Sequence, residues 1–354
     1  MDRGKKPCTS LASSNSNIYI NLKDIIGENV LRYLPAKSLH RFSCVCRDWK
    51  NYISTPFFAH RQSNSFHQVS GFFCQSPSSL LPSFISLDPT AYGVPDPSLR
   101  FLPEPVDVRC SSNGLLCCQG QGTGYKPCYI CNPVTQKWKK LPKPDANHGS
   151  DPALVLVLEP PLEKFVVEYR LICAFQSDTV GYKFDIYSSA EGSWRTSCEI
   201  CVGNWQIFPY SGVYVNGVVY WRPRSKIRIL AFDLTSERAT PLYSCSIGCL
   251  GNVNGKLCSA FRHGAHLVVF ELSNIAMDMM MMIYTKEFSL EDSEIIMLTK
   301  DGGRVLFVGG ETAVIYLGTT LISYNMKTKD IKELAIEADD GRSMIPYVNR
   351  LVQL

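Results

Sequence analysis

Three Asn-Gly pairs constrain this chain more than any other feature. Asn113-Gly114, Asn216-Gly217 and Asn254-Gly255 each lie between two short apolar runs, in SNGLLCC, GVYVNGVVYW and GNVNGKLCSA. Asn and Gly both accept positive φ, which a two-residue hairpin turn requires, so each pair marks two antiparallel strands. Further polar turns, PVTQK, SSAEG, LTSER and MKTKD, each close a second hairpin downstream of an aliphatic or aromatic strand. The phrase recurs most clearly at 112–142, 184–197 and 212–242, and more weakly at 251–274 and 314–334.

Repetition of short strands on this scale predicts an all-β domain built from similar units. Dividing the stretch from about 68 to 354 by a blade of ~45 residues gives about six blades. A β-propeller is therefore expected, since radial packing solves the problem of unpaired sheet edges. A two-sheet sandwich is the runner-up, although the stretch is long for one. Trp138 and Trp194 follow two of the turns and are expected to fill the space between neighbouring sheets.

The first sixty residues read differently. Residues 1–17 are polar and rich in Ser and Asn, the composition of a loose tail. Over 18–60, Leu22, Ile25, Ile26, Val30 and Leu31 follow helical spacing, with Asn21 at the N-cap and Asp24 three residues on. Leu34-Pro35 breaks that helix, because proline disfavours helical geometry in the residue before it. Ser38 is placed to cap a second helix carrying Leu39, Phe42, Val45 and Cys46. A third holds Trp49 and Ile53, and Pro56 is read as its end. So small a unit rarely buries enough surface to fold unaided. It must lean on its own β domain or on another protein, and Trp49 is a residue type often found as an interface anchor.

Taken together, Leu34-Pro35-Ala36-Lys37-Ser38-Leu39, Phe42, Cys44-Val45-Cys46, Asp48-Trp49 and Ile53 resemble an F-box. Downstream, SSNGLLCC, YICNPVTQKWKKLPKP, FDIYSSAEGSW and GVYVNGVVYW resemble the kelch-like F-box-associated domain of plant F-box proteins. The resemblance implies a small all-α F-box module at 18–60 followed by a β-propeller at 61–354. It also implies docking on the Skp-type adaptor of a cullin-based ubiquitin ligase, with Leu34, Pro35, Leu39, Val45, Cys46 and Trp49 buried against that adaptor. Lys23, Gly27 and Asn29 depart from the family pattern in the first helix.

Composition narrows the remaining choices. A net charge of +4 over 354 residues argues against a strong non-specific hold on nucleic acid or membrane. The most apolar later stretch, IAMDMMMMIY, is broken by Asp278 and falls short of the ~20 residues of a membrane span. Without an apolar leader at the N-terminus, an intracellular protein of the nucleus or cytoplasm is expected. An odd count of 15 cysteines fits a reducing compartment, with the thiols acting as small buried apolar groups.

No catalytic or cofactor signature appears. Cys128/Cys131 and Cys198/Cys201 are separated too widely for a zinc ribbon, and residues i and i+3 of a strand point to opposite faces. His263-x2-His266 reads as a surface turn, and GQGTG as a hairpin tip without the lysine of a phosphate loop. Neither a metal nor a cofactor is expected. The run Met279–Met282 is read as a packing element. Lys137, Lys139, Lys140 and Lys143 read as a strand edge blocked by charge. The same reading is preferred for WRPRSKIR, but a hairpin loop is also where recognition is carried. Arg222, Arg224, Lys226 and Arg228 are therefore the candidate contacts to a target protein. The expected function is a non-enzymatic bridge that holds this target within a ubiquitin ligase. A ubiquitin-independent binding propeller and, further off, a propeller enzyme are the alternatives.

Overall fold

A computed structural model describes residues 22–76, 79–159, 167–177, 181–203, 206–224, 228–244, 248–276, 279–290, 303–318, 320–335 and 343–354. The polar tail at 1–17, Asn21 and Lys226 lie outside the described residues.

Four helices come first: α1 (Leu22–Asn29), α2 (Ala36–Ser43), α3 (Arg47–Ile53) and α4 (Pro56–Ser65). A single 3-10 turn, Leu31–Tyr33, follows α1, and the chain breaks at Leu34-Pro35 as the proline requires. Two local expectations need correction. Ser38 caps nothing, because α2 already starts at Ala36 with Pro35 in the N-cap position. Pro56 does not end the helical run but opens α4 from its first turn. That position has no intrahelical use for an N–H, and proline's fixed φ suits it. Thr55 completes the start, its Oγ1 accepting from the Phe58 N–H at 3.1 Å.

The strands follow in antiparallel meanders. β1 (Gly71–Gln75) and β2 (Ser83–Ser86) form one group, joined by the C-terminal β23 (Ser343–Tyr347) in the order β2-β1-β23. The second is β3 (Val106–Ser112), β4 (Leu115–Gly120), β5 (Cys128–Asn132) and β6 (Lys137–Lys140). The third is β7 (Ala153–Glu159), β8 (Glu168–Gln176), β9 (Gly181–Ser188) and β10 (Ser193–Val202). Next come β11 (Val213–Val215), β12 (Val218–Trp221), β13 (Arg228–Asp233) and β14 (Ala239–Ser244). They are followed by β15 (Cys249–Val253), β16 (Lys256–His263), β17 (His266–Ala276) and β18 (Met279–Ser289). The last four are β19 (Arg304–Gly309), β20 (Thr312–Leu317), β21 (Thr320–Asn325) and β22 (Ile331–Ala335).

These last three meanders are stitched into one sheet by short parallel bridges, Tyr243 to Met279 and Asn252 to Gly309. The leading strands β3, β7, β11, β15 and β19 approach one another in that order, and β23 closes the circuit between β19 and β3. That radial succession is a propeller and not a two-sheet sandwich. The ring is closed by pairing across the chain ends, with β23 registered on β1 from Gly71–Tyr347 to Gln75–Ser343.

The turn chemistry works as the sequence suggests. Asn113, Asn216 and Asn254 have φ of 48°, 46° and 54°, and the glycine after each is also left-handed. The second hairpins share a device. The Oδ1 atoms of Asn132, Asp233 and Asn325 accept from backbone N–H groups two and three residues on, and Gln136, Glu237 and Lys329 then take positive φ. Trp194 fills an inter-sheet gap as expected, packed with Tyr187 and His148 and donating to the Pro142 carbonyl at 2.8 Å. Trp138 does not. It lies 43% exposed on β6, edge-on to Tyr129.

Helices and propeller are joined through the segment after β23. The Asn349 carbonyl accepts from the Ala36 N–H at 3.3 Å and from the Gln62 side chain, which also donates to Leu34 O at 3.0 Å. Leu351 packs into the helical core and gives its N–H to Gln62 Oε1. Arg350 is buried and donates to the Phe66 carbonyl, Asn113 Oδ1 and His67 Nδ1. Burial pushes its guanidinium down to about 10. Replacing Arg350 by Ala leaves the buried Phe66 carbonyl and the half-buried Asn113 Oδ1 without this donor, at about 1–3 kcal/mol each where water cannot reach. Denaturant unfolding of Arg350→Ala is expected to show a loss of at least about 2 kcal/mol. A midpoint within error of the parent would show that this residue is not the joint.

Candidate functional site

Two regions present chemistry to solvent: the helical module and the far end of the propeller. The helical module divides cleanly between core and surface. Leu39 is 0% exposed, enclosed by Leu31, Ile53 and Phe58. Pro35 is buried as well. These two were expected to pack on a partner. They are instead interior supports, because α2 turns its Leu39 face inward onto α3 and α4. Leu34, Cys46 and Trp49 are half-buried at the margin. Trp49 meets Phe42 edge-on at 5.6 Å, and Cys46 Sγ accepts from the Trp49 N–H at 3.5 Å to start α3. Val45 is 64% exposed at the α2–α3 corner, and Ile25, Val30 and Tyr33 are also exposed. Sequence spacing indicated Val45 but missed Tyr33 and Val30 as surface residues. A hydrophobic stripe does not say which of its members face inward.

At the other end, the leading strands surround an axial cavity of about 800 Å³. Its two ends are distinguished by topology. The Asn-Gly turns end β3, β11 and β15, and Asn113 there touches Arg350, so this is the end that carries the helices. Arg222 follows β12, Arg262 lies late in β16, and Arg304 begins β19, which places all three at the opposite end. Arg222 and Arg224 clasp the Phe208 ring, with guanidinium carbons 4.5 and 5.5 Å from its centroid. Arg222 also donates to Gly248 O at 3.3 Å. Loss of water pulls its guanidinium below the ordinary value, and neighbouring Arg304 adds to this while Cys249 opposes it. Arg228 takes another direction, stacking on Tyr243 and donating to its hydroxyl at 2.6 Å. Of the three described candidate residues of the loop, two are therefore brought together. Phe208 and Arg304, distant in sequence, complete the cluster.

The other motifs resolve as structure. Cys128 joins the core that holds Cys117, while Cys131 joins the core on the opposite face with Cys118. The thirteen cysteines described are free thiols, and no group of His, Cys, Asp or Glu among the described residues could hold a metal ion. His263 and His266 face each other across a tight turn between β16 and β17. The methionine run falls on β18, and its side chains lie outside the described residues. The described residues lining the axial cavity include no Asp, Glu or His.

A helical module followed by a propeller is also the arrangement that comparison with known proteins gives. The family model of the F-box domain matches residues 24–61, and that of the F-box protein At3g26010-like β-propeller matches residues 99–301. The chain belongs to this family of F-box proteins carrying a β-propeller. It is 30% identical to F-box protein At5g07610 of Arabidopsis thaliana, over 64% of this chain and 57% of that one. It is 29% identical to F-box protein At5g49610 of the same plant, over 75% and 76% respectively. The chain thus spans little more than half the length of the first relative. The kelch label has looser support. It occurs in the name of F-box/LRR-repeat/kelch-repeat protein At2g27520, 28% identical over 62% of this chain and 59% of that one.

The division of the helical module into core and surface is open to test by stability. Leu39→Ala is expected to cost 2–5 kcal/mol, in the range of buried leucine truncations. Val45→Ala should stay within about 0.5 kcal/mol. Gly27, a departure from the family pattern, has room for a methyl group, since among the described residues an added Cβ would meet only Trp49 and Tyr52 at 4.0 Å. Gly27→Ala is expected to raise the unfolding midpoint, gaining up to about 1 kcal/mol from helix propensity. Thermal and denaturant melts of the three variants check all of these.

Proposed function

We propose that this chain is a substrate-recognition subunit of a Skp–cullin–F-box ubiquitin ligase. The observation that carries the reading is the exposed apolar set Ile25, Val30, Tyr33 and Val45 on a module whose core is already filled by its own chain. Exposed apolar side chains grouped on one small module mark an interaction surface. A Skp-type adaptor is the partner that fits an F-box, with Val45, Cys46, Trp49 and Leu34 at the contact and Leu39 and Pro35 supporting it from beneath. Through the adaptor the chain would join a cullin.

The propeller then holds a target protein at the opposite end, with Arg222 and Arg224 among its contacts. The chain itself supplies no acid, base or nucleophile. The rate gain comes from holding an acceptor lysine near an activated ubiquitin, which raises its effective concentration. F-box proteins with propellers are typically non-catalytic adaptors.

Capture by a purified Skp-type adaptor tests the proposal. Val45→Asp is expected to lower affinity at least tenfold while leaving the melting temperature unchanged, because the side chain contributes little to the core. A full-length protein that fails to bind any adaptor offered would leave a ubiquitin-independent binding propeller as the better reading.

A further inference from the structure

The axial cavity carries an unusual electrostatic arrangement. Three arginines, Arg222, Arg262 and Arg304, line it at the end away from the helices. Arg262 lies close to the start of β19, its Nη1 2.6 Å from where a side chain on Gly303 would begin. Arg222 is the informative member. It is half-buried, and its described partners are neutral: the Gly248 carbonyl and the Phe208 ring. No carboxylate occurs among the described residues lining the cavity. Holding a cation partly out of water among neutral partners costs stability, and neighbouring Arg304 adds to the cost. Around the charge, Phe208, Leu250, Phe261, Val305 and Phe307 form largely apolar walls. About 800 Å³ is enough for one or two inserted side chains and falls within the range of ligand sites.

We infer that this end of the axial cavity is a socket for an acidic side chain of the recruited protein, whose oxyanion pairs with Arg222 while its neighbouring residues rest on the apolar wall. This rests on the reading of the propeller as the part that holds the target. The oxyanion can be the carboxylate of Asp or Glu or the phosphate of a modified side chain, both of which match a guanidinium fork. Arg222 is pre-positioned by the Phe208 ring, so little side-chain entropy is lost on pairing. Placement at the end opposite the helices keeps the socket apart from the helical face.

The experiment uses the full chain bound to a Skp-type adaptor and three fluorescent nonapeptide pools. These are degenerate at eight positions and fixed at the centre as Glu, phosphoserine or Gln. Anisotropy titrations are expected to show the Glu pool, the phosphoserine pool or both binding at least tenfold tighter than the Gln pool. The stronger arm identifies the source of the oxyanion. Arg222→Gln is expected to abolish the preference, and Arg222→Lys to keep part of it. Lys139→Gln, on an outer strand of the propeller, should leave it intact. Thermal melts should show inorganic phosphate stabilising the parent but not Arg222→Gln, a variant expected to fold at least as well because Arg222 is half-buried among neutral partners in the described residues. Equal affinity for all three pools would overturn the inference, as would an acidic preference that survives Arg222→Gln. So would inorganic phosphate competing as well, per molecule, as either peptide pool. Adaptor capture by Arg222→Gln, measured in the same samples, is expected to match the parent. Failure at the socket is thereby distinguished from failure of the helical docking face.

Discussion

The structure depends on one short stretch of chain. Ser343–Tyr347 pairs with β1 and closes the ring, and the next four residues fasten the helices to it. Asn349 and Leu351 replace partners that Ala36 and Gln62 would otherwise find in water, and Arg350 spans Phe66, His67 and the Asn113 turn. Ring closure and helix attachment are thus mechanically the same event. A helical unit too small to be stable alone acquires its missing core, including Leu351, only once the propeller is closed.

Two consequences follow for function. First, the helices are seated on a fixed end of the propeller, the end of the Asn-Gly turns, and carry Ile25, Val30, Tyr33 and Val45 exposed. Second, the basic mouth of the axial cavity lies at the other end, where the loops after β12 and β16 and the start of β19 meet. A partner at each end can be held at a set separation without touching the other. For a bridging protein that geometry is the working part, since effective concentration depends on how firmly the spacing is fixed.

Much of this was legible in the sequence, for identifiable reasons. The Asn-Gly turns dictate backbone angles by themselves, so the hairpins could be read directly. Alternation along a strand likewise placed Cys128 and Cys131 on opposite faces before any contact was known. The chain's own use of Leu39 was not legible, because periodicity groups apolar residues without saying whether the neighbour is internal or external. Helix α4 was missed although Thr55-Pro56 is a good helix start. The latch at Asn349–Leu351 was invisible because its partners lie nearly 300 positions away. The WRPRSKIR loop suggested a contiguous basic patch, yet folding separates Arg228 from Arg222 and replaces it with Phe208 and Arg304.

The most direct test of the bridging account is hydrogen–deuterium exchange on the full chain with and without a purified Skp-type adaptor. The account expects slowed exchange confined to residues 25–49. The latch at 347–351 should remain protected in both states, and the segments around Arg222 and Arg262 should be unchanged. Absence of slowing across 25–49, or release of the latch when the adaptor binds, would contradict it.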